Sequence, residues 1–158
     1  MDLIKTVKKK NLEIGIDRTC SKSIALEVAV VEDNRLVNLI LSSELFSTIT
    51  RLKNERNCNI NFSRFYSGKD FLSYLENKND QGLRYIIFSD FYLENNMNGV
   101  KILKQLKKRE INATVIITSD TTNRQISIDA MKMGAFRFVP KDDSTPIVCS
   151  EILYQLVI

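Results

Sequence analysis

The chain has 158 residues, of which 44% are hydrophobic and 27% charged, with a formal net charge of +4 and no histidine. Such a composition fits one globular core with a short extension, and no stretch approaches the roughly 18 apolar residues of a membrane-spanning helix. The missing histidine excludes imidazole acid–base catalysis, Ser-His and Cys-His nucleophile pairs and His-ligated zinc.

Residues 1–24 read as a basic N-terminal extension or linker. Over residues 1–26, Lys5, Lys8, Lys9, Lys10, Arg18 and Lys22 outweigh Asp2, Glu13 and Asp17. No apolar run of signal-peptide length is present, so a cytoplasmic protein is expected. The basic surplus is read as a solvated tail, because no aromatic-interleaved patch or DNA-binding motif accompanies it. Direct nucleic-acid binding and a membrane span are therefore not expected. Cys20, Cys58 and Cys149 are odd in number and far apart, with no CxxC, which favours reduced thiols over a disulfide framework.

A single domain is predicted over 25–158. "IALEVAVVE" (24–32) reads as a buried strand, and "NRLVNLILSSELFSTI" (34–49) as a helix. In that helix Leu36, Val37, Ile40, Leu41, Leu45 and Ile49 recur at helical spacing. "TRLKNERNCN" is a polar loop or helix end. "INFSRFY" (60–66) alternates as a strand, and "GKDFLSYLEN" (68–77) is a short amphipathic helix. The third strand, 85–90, ends in Asp90. "NGVKILKQLKKR" (98–109) sets Val100, Leu103 and Leu106 against a lysine face. "ATVIITS" (113–119) is a strand. "NRQISIDAMKM" (123–133) is a helix stopped by Gly134. "FRFVP" (136–140) is the fifth strand, and "TPIVCSEILYQLVI" (145–158) the last helix, with Thr145 as cap and Pro146 in its first turn.

Strands alternating with helices predict an α/β domain, a parallel sheet with helices on both faces. Such sheets bind ligands at the carboxyl ends of their strands. There, strand one delivers Glu32 and Asp33, strand three Asp90, strand four Thr118 and Ser119, and strand five Pro140 and Lys141. Strand two delivers only a Ser67-Gly68 turn. Three crowded carboxylates repel one another unless a cation sits among them, and an all-oxygen donor set suits Mg²⁺. A metal-flanked carboxylate can attack phosphorus to form an aspartyl phosphate, with Lys141 and a strand-four hydroxyl facing the phosphoryl oxygens.

Together "VVEDN", "IIFSD", "NG" at Asn98-Gly99, the hydroxyl ending "VIITS", and "GAFRFVPK" resemble the response-regulator receiver domain of bacterial two-component signalling. The likeness runs from about Leu26 to Ile158. It implies a flavodoxin-like doubly wound sheet of five strands in order 2-1-3-4-5 with five helices. It implies that Asp90 is the phosphoacceptor and that Mg²⁺ is held by Glu32, Asp33, Asp90 and the backbone carbonyl of Tyr92. Lys141 would contact the phosphoryl group. Ser119, with Thr118 as the alternative, would be the switch hydroxyl, and Phe138 the aromatic switch. The implied donor is a sensor histidine kinase or histidine phosphotransfer protein. Since the last helix closes the sequence, output is expected through a downstream protein target, onward phosphotransfer, or a homodimer through helix 4, strand 5 and helix 5. The chain is then a bacterial signalling switch rather than an enzyme, apart from its own phosphorylation and dephosphorylation.

Two departures stand out. "FYLENNMNG" has no proline and one extra residue before its glycine, and Pro140 precedes Lys141 where the family places a proline after the lysine. Bulky Tyr92 is expected to shield an acyl phosphate from water. Taken singly, Asp90 is a turn cap, Glu32-Asp33 a cap for the first helix, Ser119 part of a turn, Lys141 a surface lysine and Phe138 core; their arrival at one edge favours a site. The alternative function is a receiver-like interaction module that is not phosphorylated. A phosphohydrolase would carry a second Asp two residues after Asp90, where Tyr92 stands, and no P-loop is present.

Overall fold

Leu26–Val31 (β1) is buried at every position, as the apolar run of a strand covered on both faces should be. In the computed structural model, which describes residues 25–78 and 82–158, β1 lies inside a parallel sheet. The other strands are β2 (Ile60–Phe65), β3 (Arg84–Asp90), β4 (Ala113–Ser119) and β5 (Arg137–Pro140), and the order is β2-β1-β3-β4-β5. Between and after them run α1 (Arg35–Arg56), α2 (Gly68–Asn77), α3 (Gly99–Lys108), α4 (Arg124–Lys132) and α5 (Thr145–Val157). This is the flavodoxin-like order expected. The extension predicted over 1–24 lies outside the described residues.

Strand parity divides the core. Val28, Val30, Ile86, Phe88 and Ile116 pack with Leu41, Leu45, Ile49 and Leu52 of α1 and with Cys149, Ile152 and Leu153 of α5. Ala29, Val31, Ile87, Val115 and Ile117 pack with Phe71 and Leu75 of α2, Ile102 and Leu106 of α3, and Ala130 of α4. Burial pushes the Cys149 thiol up to about 12, so it is a packing group rather than a nucleophile.

Three local points are decided by the packing. Of the two readings of residues 50–56, loop or helix end, the second holds: α1 continues to Arg56, and Leu52 extends its buried stripe. Asn57 then ends it in the left-handed region, with φ 52°. Of the apolar residues at helical spacing, Leu36 and Ile40 face outward, 65% and 50% exposed, while Leu41, Leu45 and Ile49 are buried. Thr145 does not cap α5. The cap position is Ser144, without a side-chain bond, while the Thr145 hydroxyl donates to the Pro140 carbonyl and accepts the Asp142 N–H. Gly134 stops α4 as predicted, at φ +101°, a conformation that favours a residue without Cβ.

Candidate functional site

Parallel strands in register bring their carboxyl ends to one edge. Val31 of β1 pairs with Ser89 of β3, Asp90 with Thr118 of β4, and Ser119 with Pro140 of β5. The next residues outward on β1 and β5 are Glu32 and Lys141. The Lys141 Nζ lies 2.7 Å from Glu32 Oε2 and 3.0 Å from Asp90 Oδ2. Carboxylate oxygens of Glu32, Asp33 and Asp90 all fall within 4.8 Å of one another. Glu32 and Asp90 are buried and Asp33 is half-buried. The structure therefore brings together the four charged side chains that the sequence singled out.

Each is held locally. Asn34 is the cap of α1, its Oδ1 accepting the Leu36 and Val37 N–H groups at 3.0 and 3.1 Å. The acidic pair is thus free of capping duty. Glu32 Oε1 accepts the Asn34 N–H at 3.0 Å, and Asp33 Oδ2 accepts the Glu94 N–H at 2.9 Å. Backbone bonds stitch the strand ends together, Phe91 N–H to the Thr118 carbonyl and Lys141 N–H to the Ser119 carbonyl, both at 2.8 Å.

Burial dominates the electrostatics. It pushes the Asp90 carboxyl above its ordinary range, and Lys141 and the Tyr92 N–H only partly offset that. Glu32 is raised for the same reason, with Asp90 adding to the rise and Lys141 opposing it. Burial alone would pull Lys141 down, but its bonds to Glu32 and the charge of Asp90 outweigh that and hold it up. Three carboxylates against one ammonium leave two negative charges when all are ionised. A hard divalent cation matches that charge and that oxygen donor set, so the residues fit Mg²⁺.

The loop after Asp90 forms a small hairpin. Tyr92 and Asn98 make an antiparallel bridge, and the Met97 N–H reaches the Glu94 carbonyl. Asn95 and Asn96 take φ 59° and 58° at the turn, positive at both central positions as tight hairpin turns need. The extra residue and the missing proline are accommodated there. The Tyr92 side chain is 54% exposed and stacks edge-on with Phe91. Gly99 lets α3 start against the sheet, since a Cβ there would stand 3.2 Å from the Asp90 carbonyl oxygen.

The two candidate hydroxyls have different surroundings. Thr118, opposite Asp90, lines a cavity of about 360 Å³ with Val37, Leu41, Lys141 and Pro146. Ser119 is fully buried, and its Oγ accepts the Thr121 N–H at 3.2 Å. Phe138, paired with Ile117, is half-buried against the core beneath α4. Sequence reasoning missed Asn38, a fully buried amide on α1 bonded to the β1 and β2 ends. The available signal was a polar residue on the stripe of Leu41, Leu45 and Leu52.

Fold and edge together define a doubly wound α/β module with an acidic, lysine-bridged pocket. The family profile of the response regulator receiver domain matches residues 28–150, and the chain belongs to that family. No curated protein sequence matches the chain. Among solved structures it is similar to the receiver domain of the Francisella response regulator 1452, at 22% identity and TM-score 0.60, covering 84% of this chain and 98% of that one. It is also similar to the signal receiver domain of NarL from Mycobacterium tuberculosis, at 17% identity and TM-score 0.64, covering 84% and 96%. A third is the BeF3-activated DrrB receiver domain, at 20% identity and TM-score 0.60, covering 84% and 94%; DrrB is a Thermotoga maritima protein. These likenesses concern the fold.

Proposed function

We propose that this receiver domain accepts a phosphoryl group on Asp90 from a phosphohistidine of a sensor kinase or phosphotransfer protein, and that the modification switches partner binding. The observation that carries the reading is Lys141, whose ammonium spans Glu32 and Asp90 at 2.7 and 3.0 Å beside a third carboxylate. An Asp90 oxygen attacks phosphorus, the P–N bond breaks, and its electron pair stays on the donor imidazole. Glu32, Asp33, Asp90 and the Tyr92 carbonyl would hold Mg²⁺, which would supply charge stabilisation to the transferring oxygens. Lys141 leaves its bond to Asp90 to meet the new phosphoryl oxygens, keeping Glu32 as its anchor. Ser119 turns its hydroxyl from the Thr121 N–H toward the phosphoryl group, with Thr118 the alternative, and Phe138 follows inward. Tyr92 screens the acyl phosphate from water.

A donor must cross the rim of the site, where Leu36, Ile40 and Ile147 are exposed. Output runs to a protein target or a second copy through α4, β5 and α5, where Ile128, Met131 and Phe136 are exposed. The protein acts in the bacterial cytoplasm; among the described residues no helix is long and apolar enough to cross a membrane.

Beryllofluoride with Mg²⁺ tests this by mimicking the acyl phosphate on an aspartate. Saturable shifts of amides at Asp90, Ser119 and Phe138 in NMR spectra, absent in Asp90→Asn, are expected. Unchanged spectra at saturating reagent would refute the reading and leave the non-phosphorylated interaction module. Ser119→Ala and Thr118→Ala decide the hydroxyl, since only the true switch variant uncouples Phe138.

A further inference from the structure

A strand ends where its ladder runs out of partners, and the residues just beyond it are held only by what else reaches them. Glu32 and Asp33 sit in that position, one and two residues past the end of β1. The Glu32 N–H still finds the Phe65 carbonyl of β2, at 3.1 Å. No residue of β2 continues the pairing beyond Phe65. The side chain of Asn38 does so instead. Its Nδ2 donates to the Glu32 carbonyl at 2.9 Å and to the Phe65 carbonyl at 3.1 Å. Its Oδ1 accepts the Ser42 hydroxyl at 3.1 Å, so the amide cannot be turned over without facing oxygen with oxygen. Asn38 is wholly inaccessible and Ser42 nearly so, and an amide buried with all these bonds made is rigid.

We propose that Asn38 is a positioning residue for the acidic pair. Its amide serves as one extra rung between β1 and β2, fixes the Glu32–Asp33 peptide, and thereby sets the affinity of the site for a divalent cation. The inference rests on the metal-binding reading of Glu32, Asp33 and Asp90. It adds that the ligand carboxylates are aimed by α1 from below, one and two turns into the helix, as well as by their own strand. Groups that orient metal ligands without touching the metal commonly change affinity by about 10–100-fold when removed. Asn38→Leu deletes the rung and leaves the Glu32 carbonyl buried without its side-chain donor. Ser42→Ala keeps the rung and removes only the hydroxyl that fixes which way it faces.

Mg²⁺ affinity is measured by isothermal calorimetry at a temperature where every variant is folded, beside Leu52→Ala as a destabilised control from the far end of α1. Asn38→Leu is expected to weaken Mg²⁺ by about tenfold or more and Ser42→Ala by several-fold, while Leu52→Ala stays within about twofold of wild type despite a lower melting temperature. A wild-type-like affinity in Asn38→Leu overturns the inference while leaving the metal site intact. Equal weakening in Leu52→Ala overturns it too, by showing that lost stability alone is being read. Should Asn38→Leu fail to fold, Ser42→Ala decides, and wild-type affinity there is the overturning result. If wild type itself binds no Mg²⁺, the metal-binding reading falls, and this inference with it.

Discussion

The charge balance at the carboxyl edge leads to an unusual expectation, that Asp90→Asn stabilises the metal-free protein. Asp90 meets Lys141 at 3.0 Å and lies within 4.8 Å of both Glu32 and Asp33. With an effective dielectric constant of about 20, Coulomb's law gives about 5.5 kcal/mol of attraction to Lys141 and, at separations of 4.8 Å or less, at least about 3.5 kcal/mol of repulsion from each carboxylate. Water screens the half-buried Asp33, so repulsion and attraction nearly cancel. Burial of the charge then tips the balance against the ionised form, as the raised Asp90 pKa indicates. An isosteric amide removes the charge and keeps the shape, while Lys141 retains Glu32. The gain is about 1 kcal/mol, or about 2–4 °C in melting temperature for a domain of this size. Thermal unfolding followed by circular dichroism at neutral pH with chelator measures it. Saturating Mg²⁺ should then raise wild type by more than Asp90→Asn, reversing the gap. A fall of about 3 °C or more for Asp90→Asn in chelator would show that the Lys141 contact outweighs the crowding, and the reasoning would be wrong.

Lys141→Met leaves two buried carboxylates without their counter-charge and should cost about 3–5 kcal/mol, read as a lower urea midpoint that Mg²⁺ partly restores. The pH dependence has a definite sign. Glu32 and Asp90 hold their protons more tightly folded than unfolded, so metal-free stability falls as pH rises from their ordinary values through their raised ones, then levels off. A denaturation series over that window checks it, and Asp90→Asn should show a shallower fall. The stability contributed by the raised Lys141 is present below its ordinary value of 10.5 and lost as pH climbs through its folded value. Gly134→Ala forces a side chain into φ +101° and sets its Cβ 2.8 Å from Lys107 Nζ, costing about 1–2 kcal/mol in the urea midpoint.

The parallel sheet and its acidic edge were legible because they rest on local patterns. Apolar runs of strand length ended in Glu32, Asp90, Ser119 and Lys141, and parallel strands must present such ends together. What stayed hidden depends on contacts far apart in sequence. Glu27 is one polar position in an apolar strand. In fact it is fully buried and accepts bonds from Ser63 at 2.8 Å, Tyr74 and Lys78, none of which a window around β1 contains. The end of α1 stays open in the sequence because residues 50–56 are mostly polar, though Leu52 keeps the buried spacing. Leu36 and Ile40 fitted a helical period yet face outward, since periodicity finds a stripe without saying whether the fold covers it. An isolated Asn in a helix usually faces water, and only the Glu32 and Phe65 carbonyls explain why Asn38 does not.

Whether Asp90 takes up a phosphoryl group is read by intact-mass spectrometry after incubation with acetyl phosphate and Mg²⁺. A single added phosphoryl group is expected on the wild-type protein, labile to hydroxylamine, absent without Mg²⁺ and absent in Asp90→Asn. A wild-type mass that stays unmodified, or an adduct that persists in Asp90→Asn, would contradict phosphorylation at Asp90.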